Sequence, residues 1–124
     1  MLLRPFLNDA GSCASYLFGC TSHNKLAVVD PHVDFVDGYV AAAAAIGAPI
    51  VAVFETHIQA DHVSGLPALV ERTGATAYLP AGAGVTFEHV ALVDADRCET
   101  IDQSFAHATL QVIPTHIGGN SMLL

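Results

Sequence analysis

The run Ile50-Val51-Ala52-Val53-Phe54 places the tightest limit on how this chain can fold. It is far short of the roughly 20 apolar residues a membrane span needs. It is also too continuously apolar for a strand with one wet face. It therefore reads as a strand buried on both sides.

The flanking pattern extends this. Ser15 to Cys20 and Lys25 to Asp30 read as two short strands around the polar turn Thr21-Ser22-His23-Asn24, hence a hairpin. Pro31 ends the second strand. Val33, Val36, Val40, Ala43, Ala44 and Gly47 recur at spacings of three and four, which predicts a helix over Val33 to Ile46, stopped by Gly47 and Pro49. Past the apolar run, Ser64 is placed to cap a second helix with Pro67 in its first turn and Leu66, Leu69 and Val70 inward, ended by Gly74. Thr76 to Pro80 reads as another strand. Val85 to Phe87, Ala91 to Val93 and Ala108 to Ile113 read as further strands, and Ser121 to Leu124 as a strand just beginning. Strands alternating with helices make this an α/β chain.

Composition narrows the function classes. The chain has 124 residues, 52% of them hydrophobic, enough for one packed domain. No stretch is long enough to span a membrane, and Met1-Leu2-Leu3-Arg4-Pro5 does not open a secretory signal, so a cytoplasmic protein is expected. Four basic residues against twelve acidic ones give a formal charge of −8, which argues against a nucleic-acid partner. Cys13, Cys20 and Cys98 are odd in number and lack C-x-x-C spacing, so they read as reduced thiols.

The chemistry concentrates in the histidines, of which there are seven. His57, Asp61 and His62 lie in the run Thr56-His57-Ile58-Gln59-Ala60-Asp61-His62, between the buried strand and the second helix. Loops at the C-terminal ends of α/β strands are where ligand sites form. Two imidazoles and a carboxylate are a normal ligand set for zinc or non-haem iron. Alone, His57 or His62 reads equally well as an ordinary polar loop residue; the whole run points to a metal loop. His116, in Pro114-Thr115-His116-Ile117-Gly118-Gly119, follows another strand, and the glycines allow a tight turn that aims an imidazole at a site built elsewhere. Asp30 has two readings, as an acceptor orienting a ligand histidine or as a cap for the helix that follows. His23, His32, His89 and His107 have no partner at recognisable spacing and are expected at the surface.

The run Thr56 to Gly65 resembles the T-H-x-H-x-D-H loop of the metallo-β-lactamase-fold hydrolases. Val28-Val29-Asp30-Pro31 resembles that family's Asp-bearing strand, and His116 its third-histidine motif, loosely kept. The resemblance implies the first half of an αβ/βα sandwich, a mixed sheet with helices on one face. Ala60 before Asp61, and Ser64-Gly65 after Val63, are most similar to the persulfide dioxygenase branch, which oxidises glutathione persulfide to sulfite with one iron and O2. For that branch the resemblance implies His57 and His116 as ligands to Fe(II), with Asp61 and His62 shaping the site and binding substrate or water.

Two departures bear on this reading. Gln59 stands where the family has its second loop histidine, which disfavours a two-zinc site and a glyoxalase II-like thioester hydrolase. The family's bridging aspartate and last histidine belong to a second half that the sequence to Leu124 does not include, so residues 1–124 are expected to form a single, incomplete domain. Three functions follow from the sequence: a persulfide dioxygenase acting on a small thiol or persulfide, a zinc thioester hydrolase, or a non-catalytic half-domain. A half-sandwich with one uncovered sheet face is also expected to self-associate, as in a homodimer.

Overall fold

A computed structural model of the chain describes residues 2–7, 14–20, 22, 24–56, 64–80, 87–92, 112–114 and 121–123. The apolar run is β4 (Ile50–Phe54), and it lies inside a six-stranded mixed sheet of order β1-β2-β3-β4-β5-β6. The other strands are β1 (Leu2–Leu7), β2 (Ala14–Cys20), β3 (Lys25–Val29), β5 (Thr76–Pro80) and β6 (Val90–Leu92). β1, β2 and β3 pair antiparallel, and β3, β4, β5 and β6 pair parallel. Helix α1 (Val36–Ile46) makes the crossover from β3 to β4, and α2 (Leu66–Thr73) the crossover from β4 to β5. A separate antiparallel pair joins β7 (Val112–Pro114) and β8 (Ser121–Leu123). No helix among the described residues is long and apolar enough to cross a membrane.

Both helices pack on one face of the sheet. Leu17, Leu26, Val28, Val53, Ala77 and Leu79 form one core with Val36, Tyr39, Ala42 and Ala43 of α1 and Leu66 and Leu69 of α2. Because strand side chains alternate, Phe18, Ala27, Ala52, Phe54 and Tyr78 fall on the opposite face. There Phe54 stacks on Tyr78 with ring centroids 4.8 Å apart, and Phe18 lies 6.4 Å from Phe54. Phe54 is fully buried, so β4 is covered on both sides as its sequence requires. The expected bare sheet face is narrower than the sequence implied. Phe18 and Tyr78 are buried as well, and among the described residues the exposed large apolar side chains of this face are Leu3, Leu7 and Tyr16 on β1 and β2 and Val90 on β6.

The local signals account for the helix ends. Gly47 and Gly74 both take left-handed backbone angles (φ 82° and 72°) and close α1 and α2 through N–H bonds to Ala43 and Val70. Residues 33–35 of the predicted first helix form a 3-10 turn, and the α-helix starts at Val36. Strand β1 was not anticipated, because Arg4-Pro5 interrupts its apolar pattern. Proline is tolerated there because β1 is an edge strand, with Pro5 opposite Tyr16. Of the later strands, β6 matches the expected Ala91 to Val93 segment and β7 the end of Ala108 to Ile113. Phe87 is a bend instead of a strand residue. Cys20 lies in β2, and Cys13 and Cys98 lie outside the described residues.

Candidate metal centre

β3 and β4 are parallel neighbours, so the segments leaving their C-terminal ends emerge side by side. After β3 the chain runs Asp30-Pro31-His32; after β4 it runs Glu55-Thr56 and enters the histidine loop. The ladder continues one step past each strand, with Asp30 N–H donating to Phe54 O (2.8 Å) and Glu55 N–H to Tyr78 O (3.0 Å). Asp30 then turns out of the sheet with a positive φ of 52°.

That turn aims the Asp30 carboxylate at the loop entrance. Oδ1 accepts the Thr56 backbone N–H at 2.7 Å, and Oδ2 accepts the Thr56 hydroxyl at 2.7 Å. The residue immediately before His57 is therefore held by both oxygens of one carboxylate. Of the two readings of Asp30, helix capping is not what the structure shows. The turn is capped by His32, whose Nδ1 accepts Asp34 N–H at 3.1 Å. His32 is accordingly more than a surface histidine. Its ring is partly buried, and its backbone N–H donates to Tyr39 Oη at 3.0 Å. His89 is only partly exposed, with Nδ1 2.9 Å from Phe87 O.

The exit of the loop is fixed to the same corner. Gly65 N–H donates to Pro31 O (2.8 Å), and Ser64 forms an isolated antiparallel bridge with His32. The two backbones approach so closely that a Cβ on Gly65 would lie 2.8 Å from His32 O and 2.9 Å from Val36 Cγ2. Glycine is needed here for space. Gly65 is also the residue preceding the first turn of α2. Ser64, expected in that capping position, stands one residue earlier and still accepts Leu66 N–H at 3.0 Å.

One functional candidate went unread in the sequence. Glu55 is 3% exposed. Its Oε1 accepts the Ser64 hydroxyl, and its Oε2 has no hydrogen-bond partner among the described residues. Burial is the main cause that pushes its carboxyl up to about 8; the Ser64 bond offsets part of it, and the nearby Asp30 carboxylate adds to the rise both by its charge and by a side-chain hydrogen bond with the protonated acid. Glu55 is thus mostly neutral at pH 7. The available signal was a carboxylic acid directly after five apolar residues and directly before a histidine loop. Behind the corner, the Tyr39 hydroxyl sits 2.5 Å from Ser15 Oγ, and burial raises its pKa.

His57, Gln59, Asp61, His62 and His116 lie outside the described residues, so their positions are known only by where their flanking elements begin and end. Among the described residues, no group of three or more His, Cys, Asp or Glu side chains is arranged to hold a metal. The structure therefore places the two ends of the loop and leaves its ligands to the sequence.

A profile of the metallo-beta-lactamase superfamily matches residues 8–122. The chain belongs to the metallo-beta-lactamase superfamily. Solved structures of similar fold include ETHE1 from Myxococcus xanthus, with 26% identity and a TM-score of 0.83 over 99% of this chain and 54% of that one. A metallo-beta-lactamase from Staphylococcus aureus subsp. aureus COL aligns at 23% identity and a TM-score of 0.81, over 99% of this chain and 36% of that one. The metallo-beta-lactamase MIM-1 from Novosphingobium pentaromativorans aligns at 20% identity and a TM-score of 0.65, over 89% of this chain and 48% of that one. The last two likenesses are of fold. This superfamily chain spans about half the length of the ETHE1 chain and about a third of the S. aureus one. No curated protein sequence matches it significantly. Metal binding is a property of the superfamily. The donor chemistry of the loop fits that property: imidazole and carboxylate groups on a segment anchored at both ends.

Proposed function

We propose that the chain carries the first-half metal site of a persulfide dioxygenase-like enzyme, with His57 and His116 as ligands to one Fe(II). The observation that carries this reading is the doubly anchored loop at the C-terminal ends of β3 and β4, which begins at the residue before His57. The likeness to ETHE1, a persulfide dioxygenase, supports the same branch. Gln59 supports a mononuclear site, because an amide is a poor substitute for the imidazole a second metal would need.

Iron held by two imidazoles and a carboxylate leaves open positions for substrate and O2. The carboxylate that the family resemblance adds is not matched to a residue among these 124. In this reading Asp61 and His62 shape the site and bind substrate or water. The overall reaction takes one persulfide, one O2 and one water to one thiol, one sulfite and two protons. The substrate is a small thiol-borne persulfide such as glutathione persulfide. We further propose that the apolar residues left exposed on β1 and β2, Leu3, Leu7 and Tyr16, lie in a self-association surface.

The test is elemental analysis of the chain purified without oxygen, followed by an O2-uptake assay with glutathione persulfide. About one iron per chain, lost in His57→Ala and in His116→Ala, is the expected result. Two zincs per chain with hydrolysis of a glutathione thioester would replace this reading by the glyoxalase II-like one. Iron bound without turnover would leave the metal site and remove the activity. Light scattering reads the association state, and a concentration-independent monomer removes the self-association surface.

A further inference from the structure

The loop from Thr56 to Val63 is bracketed by Glu55 and Ser64, and these two residues touch each other. The Ser64 hydroxyl accepts Leu66 N–H at 3.0 Å and donates to Glu55 Oε1. A directional chain of hydrogen bonds therefore runs from the first turn of α2, through Ser64, to the residue following β4. Its members are a buried carboxyl group and a hydroxyl nine positions apart in sequence.

This arrangement is poorly suited to stability alone. Glu55 is only 3% exposed, and it is buried beside a second carboxyl group, that of Asp30. An apolar side chain of similar volume would fill the position without burying a carboxyl group beside another one. What an apolar residue cannot do is accept the Ser64 hydroxyl and so fix the distance across the loop. The Asp30 clamp on Thr56 and the Gly65–Pro31 bond hold each loop end against the β3 corner separately. Among the described residues, the Glu55–Ser64 contact ties one end directly to the other through side chains.

We propose that Glu55 and Ser64 are positioning residues, a brace across the mouth of the histidine loop that sets the geometry of its metal-binding run. The proposal rests on the reading of that loop as a metal site. Neither residue is assigned contact with metal or substrate. The brace acts by limiting the loop to conformations with its two ends held together, so less ordering remains to be done when a metal binds.

The test uses the full chain, with Co(II) as a spectroscopic probe and amide hydrogen exchange of the metal-free protein as a second readout. Ser64→Ala is expected to weaken Co(II) binding by about 10- to 100-fold and to speed exchange of amides in 56–65 while those of β3 and α1 stay protected. Ser64→Thr, which keeps the hydroxyl, and Glu55→Gln, which keeps an acceptor oxygen at the same place, are expected to restore both readouts to near the parent values. Loop exchange in Ser64→Ala equal to that of the parent overturns the brace. Faster loop exchange with unchanged Co(II) affinity overturns its role in setting the metal site. A Ser64→Ala chain too unstable to fold, with Ser64→Thr equally unstable, also overturns it, because the hydroxyl would then not be what matters. A parent chain that takes up no Co(II) overturns the metal reading of the loop, and the exchange experiment still shows separately whether the two residues hold the loop ends.

Discussion

Asp30 and Glu55 leave adjacent parallel strands at the same edge of the sheet and meet opposite fates. Asp30 is half-buried, and each of its oxygens receives a hydrogen bond from Thr56. Glu55 is almost completely buried, receives one hydrogen bond, and is pushed up to about 8. Burial is the main reason Glu55 is raised, and the single Ser64 donor offsets only part of it. Glu55, in an apolar setting, beside the Asp30 carboxylate and given a single hydroxyl donor, holds its proton. Two residues of the same chemical class thereby serve as a two-oxygen clamp and a neutral brace.

Removing the clamp should have the largest effect. Asp30→Ala leaves the Thr56 N–H and hydroxyl without their acceptor, and a loss of about 2–3 kcal/mol is expected from urea unfolding. A loss no larger than that of Thr56→Val would mean that the clamp is not what anchors the loop entrance.

The brace gives a pH-dependent prediction. Because the carboxyl of Glu55 is raised from 4.5 to about 8 on folding, the folded chain holds the proton more tightly than the unfolded one. Its contribution is fully present below about 4.5 and is lost as pH rises through about 8. Glu55→Gln should match the parent near pH 5 and exceed it near pH 6.5 by about 1–2 kcal/mol, with a limiting slope of about 1.4 kcal/mol per pH unit. Denaturant midpoints of the two metal-free chains at both pH values measure this. A deficit of the variant that widens toward pH 8 would show that Glu55 is needed as an anion, and the contrast with Asp30 would collapse.

The smallest change refines the clamp. Thr56→Val removes the hydroxyl and keeps the backbone N–H bonded to Asp30 Oδ1, so about 1 kcal/mol should be lost. No loss would assign the whole clamp to the backbone bond.

Much of the scaffold could be read from the sequence, because it follows from local pattern. The continuous apolar run became an interior strand, the threefold and fourfold spacing became α1, and Gly47 and Gly74 closed the helices where expected. Strand β1 could not be read that way, since what makes Arg4-Pro5 acceptable is its place at the sheet edge. The site divides along the same line. Asp30 stood out as an acid at the end of a strand, yet its partner Thr56 is 26 positions away and is supplied by parallel pairing of β3 and β4. Glu55 and Ser64 face each other only because β4 and α2 are both fastened to the Asp30-Pro31-His32 corner, and no local pattern encodes that.

The backbone of Asp30 narrows what evolution can put there. A positive φ admits glycine, asparagine and aspartate with little strain, and penalises nearly everything else. The two Thr56 donors, in turn, require a side chain with two acceptor oxygens at short reach. Glycine has no side chain, asparagine has one acceptor, and glutamate meets the second demand while failing the first. Aspartate alone satisfies both. This position should therefore tolerate substitution least among relatives that keep the loop, and drift here should accompany loss of the loop itself.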